Sequence, residues 1–442
     1  MELESIVPVL MFAGLLIGVF TGFPLAFVIA ALALWFGFAF RGMDIFPALY
    51  FIAFKVLKTY VYAAVPLFVF MAVMLERAEL ADRLFHVTHL LFGGLRGGLA
   101  IATTVVCTMF AATTGIVGAT VVSMGVLALP AMLKRHYNRA LASGVVLAGG
   151  TLGLLIPPSI AIVIYGPTAN VSVARLFFAA FFPGLVLSGL YMTYIFLRCL
   201  IQPELAPAMP EEERKAVSTR GKVYMALTGI VPILCLIMAV LGLIFLGVAT
   251  PTEAAATGAF AATLLAIAYR KFSWQNLKYT VYETLRITSM VMLVVIGASM
   301  FTSTFMSLGG SAFINNLILG LPFGKIGMLL VMMFVIFILG MFIDYFAIIL
   351  IIGPLFTPIA ATLGFDLIWF SLLVIMNLQM ANITPPFAYA IFYLRGVAPP
   401  EVTMGDIYRG VVPFVFLQWT GLIIVILFPQ IALWLPGMMF GQ

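Results

Sequence analysis

The sequence predicts an all-α polytopic membrane protein with two inverted repeats, each containing a re-entrant hairpin and a broken helix. Three observations support this fold class: an apolar composition, two proline-interrupted segments, and a constant spacing between matching residues of the two halves. Of the 442 residues, 64% are hydrophobic and 9% are charged. Soluble domains are about half apolar and about a quarter charged, so this composition indicates many membrane spans.

The charged residues and the cysteines exclude several functions. The net charge of +6 comes from basic residues dispersed at the ends of apolar segments, where the positive-inside rule places them, so we expect no nucleic-acid partner. Cys107, Cys199 and Cys235 lie far apart in apolar segments and have no metal-ligand spacing. The chain has no HExxH or GxSxG motif and no paired carboxylates within a span, so we do not expect an enzyme.

An apolar segment at 140–168 carries the first broken helix. Three glycines between 149 and 153 loosen a helix, and Pro157 and Pro158 break it. We therefore expect the chain to unwind at 149–158 and to resume as helix to about Tyr165. Unwound backbone at membrane depth persists only where protein buries it or where it lines a wet cavity. The segment therefore indicates a binding site.

The second half of the chain repeats this pattern 228 residues later. Pro385 and Pro386 interrupt the apolar segment 367–395 as Pro157 and Pro158 interrupt the first. The same spacing relates four further identical pairs: Pro130 and Pro358, Gly125 and Gly353, Ser143 and Ser371, and Tyr165 and Tyr393. Two halves with interrupted segments in matching positions indicate a secondary transporter. The alternatives are a channel, which would not need two such helices, and two coincidental proline kinks.

A hairpin is predicted before each broken helix. Residues 97–134 have small and hydroxylated residues in their middle, at 111–120, and basic residues at both ends. Both ends are therefore expected in the cytoplasm, with the tip buried near the membrane midplane; the alternative is one long span followed by a loop. By symmetry, 324–362 forms the second hairpin, with its tip at 340–344.

The remaining spans and the basic residues between them divide the chain into five parts. The first repeat begins outside and the second begins inside, so the two halves are inverted. The predicted parts are N-terminal scaffold helices at 1–56, the first repeat at 57–170, scaffold helices at 171–284 with a cytoplasmic linker at 201–222, the second repeat at 285–397, and a C-terminal helix at 398–442.

Two motifs make a family resemblance specific. Residues 149–159 read GGTLGLLIPPS, and 250–254 read TPTEA. With the hairpin tip, these motifs resemble the large membrane subunit, DctM type, of the tripartite ATP-independent periplasmic (TRAP) transporters, and the resemblance covers nearly the whole chain. Glu253 in the second motif follows Pro251 at a helix start, where we expect it to cap the helix.

The resemblance implies an elevator-type transporter of the ion-transporter superfamily in the bacterial inner membrane. Such a subunit is a sodium-driven symporter for an organic acid, a carboxylate, and sodium is its coupling ion; no cofactor is implied. Its partners are a small four-helix membrane subunit and a periplasmic substrate-binding protein. The alternative within transporters is a self-sufficient cation and organic-anion symporter of the same superfamily.

The candidate cation sites combine each hairpin tip with a broken helix, because unwinding frees backbone carbonyl oxygens. For site one the tip offers Thr113, Thr114, Gly115, Gly118 and Thr120, and the broken helix offers Gly150, Thr151, Gly153 and Pro157. The family usually has more serines where this chain has Ile116 and Val117. Backbone oxygens are therefore the expected ligands there.

Site two would join Asp344 at the second tip to polar residues of the second broken helix, namely Asn377, Gln379, Asn382 and Thr384. A carboxylate in an apolar run is costly in a membrane and therefore indicates function; the alternative is a surface aspartate. Asn382 and Thr384 have the alternative of an ordinary helix-helix contact.

A carboxylate substrate would lie between the two tips. Helix N-termini that follow the proline breaks offer free N–H groups to it, at Pro158, Ser159 and Pro386. Arg175 and Arg395 lie just beyond the broken helices and either steer an anion or anchor the chain at the interface.

Overall fold

The computed structural model describes residues 2–209 and 218–441, in which the regular structure is helical and contains no strand. Part of the predicted linker, 210–217, lies outside the described residues. The helices of the first half are α1 (Glu2–Phe20), α2 (Leu25–Arg41), α3 (Ile45–Lys58), α4 (Ala64–Arg77), α5 (Leu80–Phe92), α6 (Gly98–Thr114), α7 (Val117–Lys134), α8 (Arg139–Thr151), α9 (Ile160–Ala169) and α10 (Val173–Ile201). Those of the second half are α11 (Thr219–Gly229), α12 (Val231–Phe245), α13 (Pro251–Ala268), α14 (Trp274–Ser307), α15 (Gly310–Leu319), α16 (Lys325–Gly340), α17 (Tyr345–Thr362), α18 (Leu367–Ala381), α19 (Tyr389–Val397), α20 (Met404–Leu427) and α21 (Gln430–Phe440).

Nine helical stretches in the described ranges are long and apolar enough to cross a membrane. The shorter apolar helices include α6, α8, α9, α16 and α18. These are arms of the two predicted hairpins and parts of the two predicted broken helices. The all-α polytopic prediction is therefore confirmed, and the short helices are those that the sequence predicts to stop within the membrane.

The spacing of 228 residues relates whole helices. Both ends of α7 and α17 differ by 228, and α8 and α18 begin 228 residues apart. Within a few residues, α1, α2 and α10 also have counterparts in α12, α13 and α20. The repeat is thus longer than the predicted 57–170 and 285–397, because it includes the spans that precede and follow them.

One pair of counterparts differs in continuity. The helix α14 runs without a break for 34 residues, so the predicted boundary at 284/285 lies inside a helix. Its counterpart is divided into α3 and α4, which are joined by Thr59 in an extended conformation and a short 3-10 turn. At the C-terminus, two helices replace the single predicted one, since α20 ends at Leu427 and Pro429 lies directly before α21.

Both hairpins are present as predicted. The helices α6 and α7 pack against each other and are joined by only two residues, Gly115 and Ile116. The helices α16 and α17 also pack together and are joined by residues 341–344. The alternative of a single long span followed by a loop therefore does not apply to 97–134.

The first broken helix unwinds later than the sequence predicts. Helix α8 continues to Thr151, a 3-10 turn follows, and regular helix resumes at Ile160. Gly149 and Gly150 remain helical because they allow close packing: a Cβ atom at Gly149 would lie 2.7 Å from Cys107 Sγ, and one at Gly150 would lie 2.3 Å from Val121 Cγ2. Their role is contact between helices, whereas the prolines end the helix.

The two repeats interlock. The second half of each broken helix packs on the hairpin of the other repeat, α9 on α17 and α19 on α7. A Cβ atom at Gly353 on α17 would lie 3.4 Å from Thr168 Cγ2, and one at Gly125 on α7 would lie 2.7 Å from Val397 Cγ2. The glycine pair found by its spacing therefore marks the same contact in both repeats.

The helices α10 and α20 pack around the broken helices. Both contact α8 and α18, and α10 also contacts α6 and α9. The predicted division placed α10 with the scaffold, but its packing places it beside the first hairpin and both broken helices.

The contact between α8 and α20 depends on two glycines. A Cβ atom at Gly410 would lie 2.1 Å from the Ala140 carbonyl oxygen, and one at Gly144 would lie 2.2 Å from the Gly410 carbonyl oxygen. We predict that Gly410→Ala forces these helices apart and lowers stability by about 1–3 kcal/mol. The control Gly189→Ala on α10 meets no atom within 4 Å and is expected to leave stability unchanged or slightly raised. Melting temperatures in detergent measure both; equal values would contradict the prediction.

Candidate functional site

The first hairpin tip lies directly on the first unwound segment. Gly115 has φ +60°, and a Cβ atom there would lie 2.7 Å from the Pro158 carbonyl oxygen and 3.2 Å from Ser159 Cα. Gly153 borders the same tip, since its Cβ position is 3.6 Å from the Ile116 nitrogen. The structure therefore brings together Gly115, Gly153, Pro158 and Ser159, and only a residue without a side chain fits at the tip.

Buried hydroxyl groups surround this tip. Thr113 and Thr114 donate to the Phe110 carbonyl oxygen, and Thr120 donates to that of Ile116. The hydroxyl oxygens of Thr114 and Thr120 lie 3.0 Å apart. Both of these oxygens can still accept a hydrogen bond or ligate a cation, because each hydroxyl has two lone pairs.

Four other predicted members of site one occupy different surroundings. Gly118 packs against the ring of Tyr393 on α19, 3.3 Å from its Cβ position, and Gly150 packs against Val121. Thr151 donates to the Ala148 carbonyl oxygen. Pro157 lies in the unwound segment and forms a cis peptide bond with Pro158.

The second hairpin tip carries Asp344. Its Oδ2 accepts a hydrogen bond of 3.0 Å from the Phe346 N–H and so caps α17. Its carboxylate also interacts electrostatically with the hydroxyls of Tyr389 and Tyr393 on α19. The two tyrosines were not predicted as site residues, although Tyr393 was visible as the counterpart of Tyr165.

The second tip lies on the second unwound segment through backbone and aromatic contacts. The Phe387 N–H donates to the Met341 carbonyl oxygen at 3.3 Å. The rings of Phe20, Phe342 and Phe387 lie with centroids 5.7–6.0 Å apart, so α1 covers this tip. Pro386 directly precedes Phe387 in the same segment.

The polar residues of the second broken helix face two directions. Asn377 donates to the Met333 carbonyl oxygen on α16, whereas Thr384 donates within its own segment to Met380. Asn382 is buried and its amide nitrogen has no hydrogen-bond partner among the described residues. Gln379 lies about 200° around the helix from Asn377 and faces Tyr191 on α10, away from Asp344.

The two arginines stabilise chain segments. The Arg175 guanidinium lies 5.2 Å from the centre of the Phe440 ring on α21. Arg395 donates to the Val402 carbonyl oxygen at 2.7 Å. These contacts fit the anchoring alternative. At the other predicted substrate position, Ser159 donates to the Leu154 carbonyl oxygen at 2.7 Å and closes the unwound segment.

The TPTEA motif forms a helix cap, as predicted for Glu253. The Glu253 carboxylate accepts from the Thr250 N–H at 2.7 Å, and the Thr250 hydroxyl accepts from the Glu253 N–H at 3.4 Å. This reciprocal capping box fixes the start of α13.

Two interlocked repeats, with a hairpin tip on each unwound segment, define a polytopic secondary transporter. The chain matches the family described as tripartite ATP-independent periplasmic transporter, DctM component, over residues 9–431, and it belongs to that family. It is therefore the large membrane permease subunit of a transport system that includes a periplasmic binding protein.

Individual relatives agree with this assignment. The chain is 31% identical to the C4-dicarboxylate TRAP transporter large permease of Vibrio cholerae over 403 residues, which cover 86% of this chain and 87% of that protein. It is 33% identical to the ectoine/5-hydroxyectoine large permease of Ruegeria pomeroyi over 386 residues, 86% of each chain. The solved structure of the Alcanivorax borkumensis YdaH transporter has a similar fold, with a TM-score of 0.57, 15% identity, and coverage of 92% of this chain and 98% of that one.

The contact between Gly115 and Pro158 gives a test of the first site. We predict that Gly115→Ala both strains the left-handed backbone, by about 1 kcal/mol, and displaces the tip from the unwound segment, so transport is lost. Gly364 has φ +75° with no atom within 4 Å of its Cβ position. Gly364→Ala therefore has the same backbone strain without the collision and should retain transport. Uptake by proteoliposomes measures both, and equal activity would contradict a role for the tip contact.

Proposed function

We propose that this chain is the transmembrane subunit of a sodium-coupled symporter that imports an organic acid across the bacterial inner membrane. A periplasmic binding protein delivers the substrate, and a small four-helix membrane subunit completes the complex. The observation that carries the proposal is the burial of two hairpin tips against two unwound helix segments 228 residues apart. This arrangement supplies polar backbone and side-chain groups inside an otherwise apolar protein, which is how secondary transporters hold ions and substrates.

The first site suits a monovalent cation. The hydroxyl oxygens of Thr114 and Thr120 and the backbone of the Gly115 turn and the 153–159 segment are neutral oxygen ligands. Sodium sites in transporters use such carbonyl and hydroxyl groups. No strongly charged ligand is needed, because a monovalent ion has a smaller charge to compensate than a divalent ion.

The second site differs from the first by one charge. At the 228-residue spacing the counterpart of Asp344 is Ile116, so one tip has a carboxylate and the other an aliphatic side chain. Asp344 also has the hydroxyls of Tyr389 and Tyr393 near it. A cation at this tip would neutralise a carboxylate in the apolar interior. We therefore assign Asp344 as the main electrostatic determinant of cation binding there.

The substrate position follows from the helix ends. The N-termini of α9 and α19 begin directly after the unwound segments, next to Ser159 and close to Pro386. Helix N-termini attract carboxylates through free N–H groups and the positive end of the helix dipole. C4-dicarboxylates and ectoine, which name the two relatives, both contain carboxylate groups, and this agrees with an organic-acid substrate.

An elevator mechanism suits the packing. The two hairpins, the broken helices, α10 and α20 contact one another across both repeats and so form one body. The helices α2, α3, α4, α13 and α14 form a second set of contacts. We infer that the first body moves and the second is the scaffold, with α5 and α15 as the links between them.

Asp344→Asn tests the cation site without removing the helix cap, because asparagine is an equally good N-cap. In wild type we expect sodium, but not equal concentrations of potassium or choline, to raise the melting temperature. A ligand at a hundred times its dissociation constant stabilises by about 2.7 kcal/mol. We expect Asp344→Asn to reduce this rise strongly.

Asp366→Asn is the matched control, since Asp366 caps α18 through a 2.9 Å hydrogen bond from the Trp369 N–H and lies outside the candidate sites. It should preserve the sodium response. An unchanged response in Asp344→Asn would contradict the second site, and a flat response in wild type, with the small subunit present, would contradict sodium coupling.

Reconstitution distinguishes the proposal from the self-sufficient symporter. Proteoliposomes that contain both membrane subunits should accumulate a C4-dicarboxylate, or another organic acid found by screening, only when the binding protein and an inward sodium gradient are present. Uptake without the binding protein would favour the alternative, and equal uptake with a potassium gradient would contradict sodium as the coupling ion.

A further inference from the structure

A group of buried polar side chains lies between the two broken helices and belongs to neither hairpin site. Its members come from four helices: Thr151 on α8, Tyr191 on α10, Gln379 on α18 and Gln418 on α20. Each is at most 2% exposed. Thr151 and Gln379 are counterparts at the 228-residue spacing, so the group joins equivalent positions of the two repeats.

The hydrogen bonds within this group are incomplete. The Gln418 Nε2 donates to the Tyr191 hydroxyl at 2.7 Å and to the Thr151 hydroxyl at 3.4 Å. Gln379 lies next to Tyr191, yet neither polar atom of its side chain has a partner of good geometry in the described part of the chain, and Gln418 Oε1 has none either. A buried polar atom without a partner costs about 1–3 kcal/mol.

The missing partners have complementary chemistry. The Tyr191 O–H proton needs an acceptor, and the amide oxygens of Gln379 and Gln418 need donors. One water molecule can accept from Tyr191 and donate to both amide oxygens, and three such bonds are typical of a buried water. The four side chains carry no formal charge, so water suits them better than a cation, which would need compensation for the loss of its hydration.

We propose that Thr151, Tyr191, Gln379 and Gln418 bind one water molecule and form a polar bridge that links the two broken helices. Thr151 lies four residues before Leu155, where the first helix unwinds, and Gln379 lies three residues before Asn382 at the second break. A shift of either unwound segment on cation binding therefore reaches the other through this bridge. The bridge makes binding at the two cation sites cooperative, and this second part rests on the sodium coupling proposed above.

The sign of one substitution decides whether the bridge exists. Gln379→Met keeps the size of the side chain but removes its polar atoms. If water completes the hydrogen bonds, this change removes favourable bonds and lowers the melting temperature in choline. If the group is dry, the change removes two unpaired polar atoms and raises the melting temperature. Gln430→Met at an exposed position is the control and should have no effect.

A double-substitution cycle tests the link between the helices. Because Gln379 and Gln418 bind the same water, Gln379→Met and Gln418→Met should lower the melting temperature together by clearly less than the sum of their separate effects. Additive effects, or a higher melting temperature in Gln379→Met, would overturn the bridge whether or not the protein binds sodium.

Sodium titrations of the complex with its small subunit test the cooperativity. Wild type should give a Hill coefficient above one, and Gln379→Met should reduce it to one and weaken overall sodium affinity by roughly fivefold or more. A Hill coefficient unchanged by Gln379→Met would overturn the cooperative role of the bridge. No sodium response in wild type would overturn both sodium coupling and the cooperative role, while the cycle in choline still decides the bridge itself.

Discussion

The fold depends on the requirement that unwound backbone inside a membrane be covered by protein. Each broken helix exposes polar N–H and C=O groups that lipid cannot satisfy. A hairpin tip covers each of these segments: the Gly115 turn lies on Pro158, and the Met341 carbonyl oxygen accepts from Phe387. The rest of the molecule positions these two hairpins so that the breaks are buried.

Interlocking of the repeats provides that positioning. The helix that follows each break packs on the opposite hairpin, where a glycine permits close approach. Tyr165 on α9 also forms a 3.2 Å hydrogen bond with Thr357 on α17, and Tyr393 lies over Gly118 on α7. Neither repeat can bury its broken helix alone, so the two sites form together.

The symmetry of the backbone is not a symmetry of chemistry. Asp344 has Ile116 as its counterpart, Asn382 has Leu154, and Gln379 has Thr151. The second repeat therefore has most of the strongly polar groups, while the first relies on hydroxyls and backbone. Two sites of similar shape but unequal charge can bind cations with unequal strength.

The sequence alone determined the architecture, since the 64% hydrophobic composition, the paired prolines and the 228-residue spacing are local or periodic features. These features predict helices, hairpins and breaks because proline and apolar length act within a few residues. They also located the residues at both tips.

Only the tertiary structure decided which side chains meet. It placed Gly149 and Gly150 in helix-helix contacts, moved Gln379 away from Asp344 and towards Tyr191, and brought Tyr389 and Tyr393 to the second tip. It also showed that α10 packs with the broken helices. The reason is that these contacts join residues far apart in the chain, and their partners depend on helix rotation and packing between repeats, which the spacing of residues along one helix does not specify.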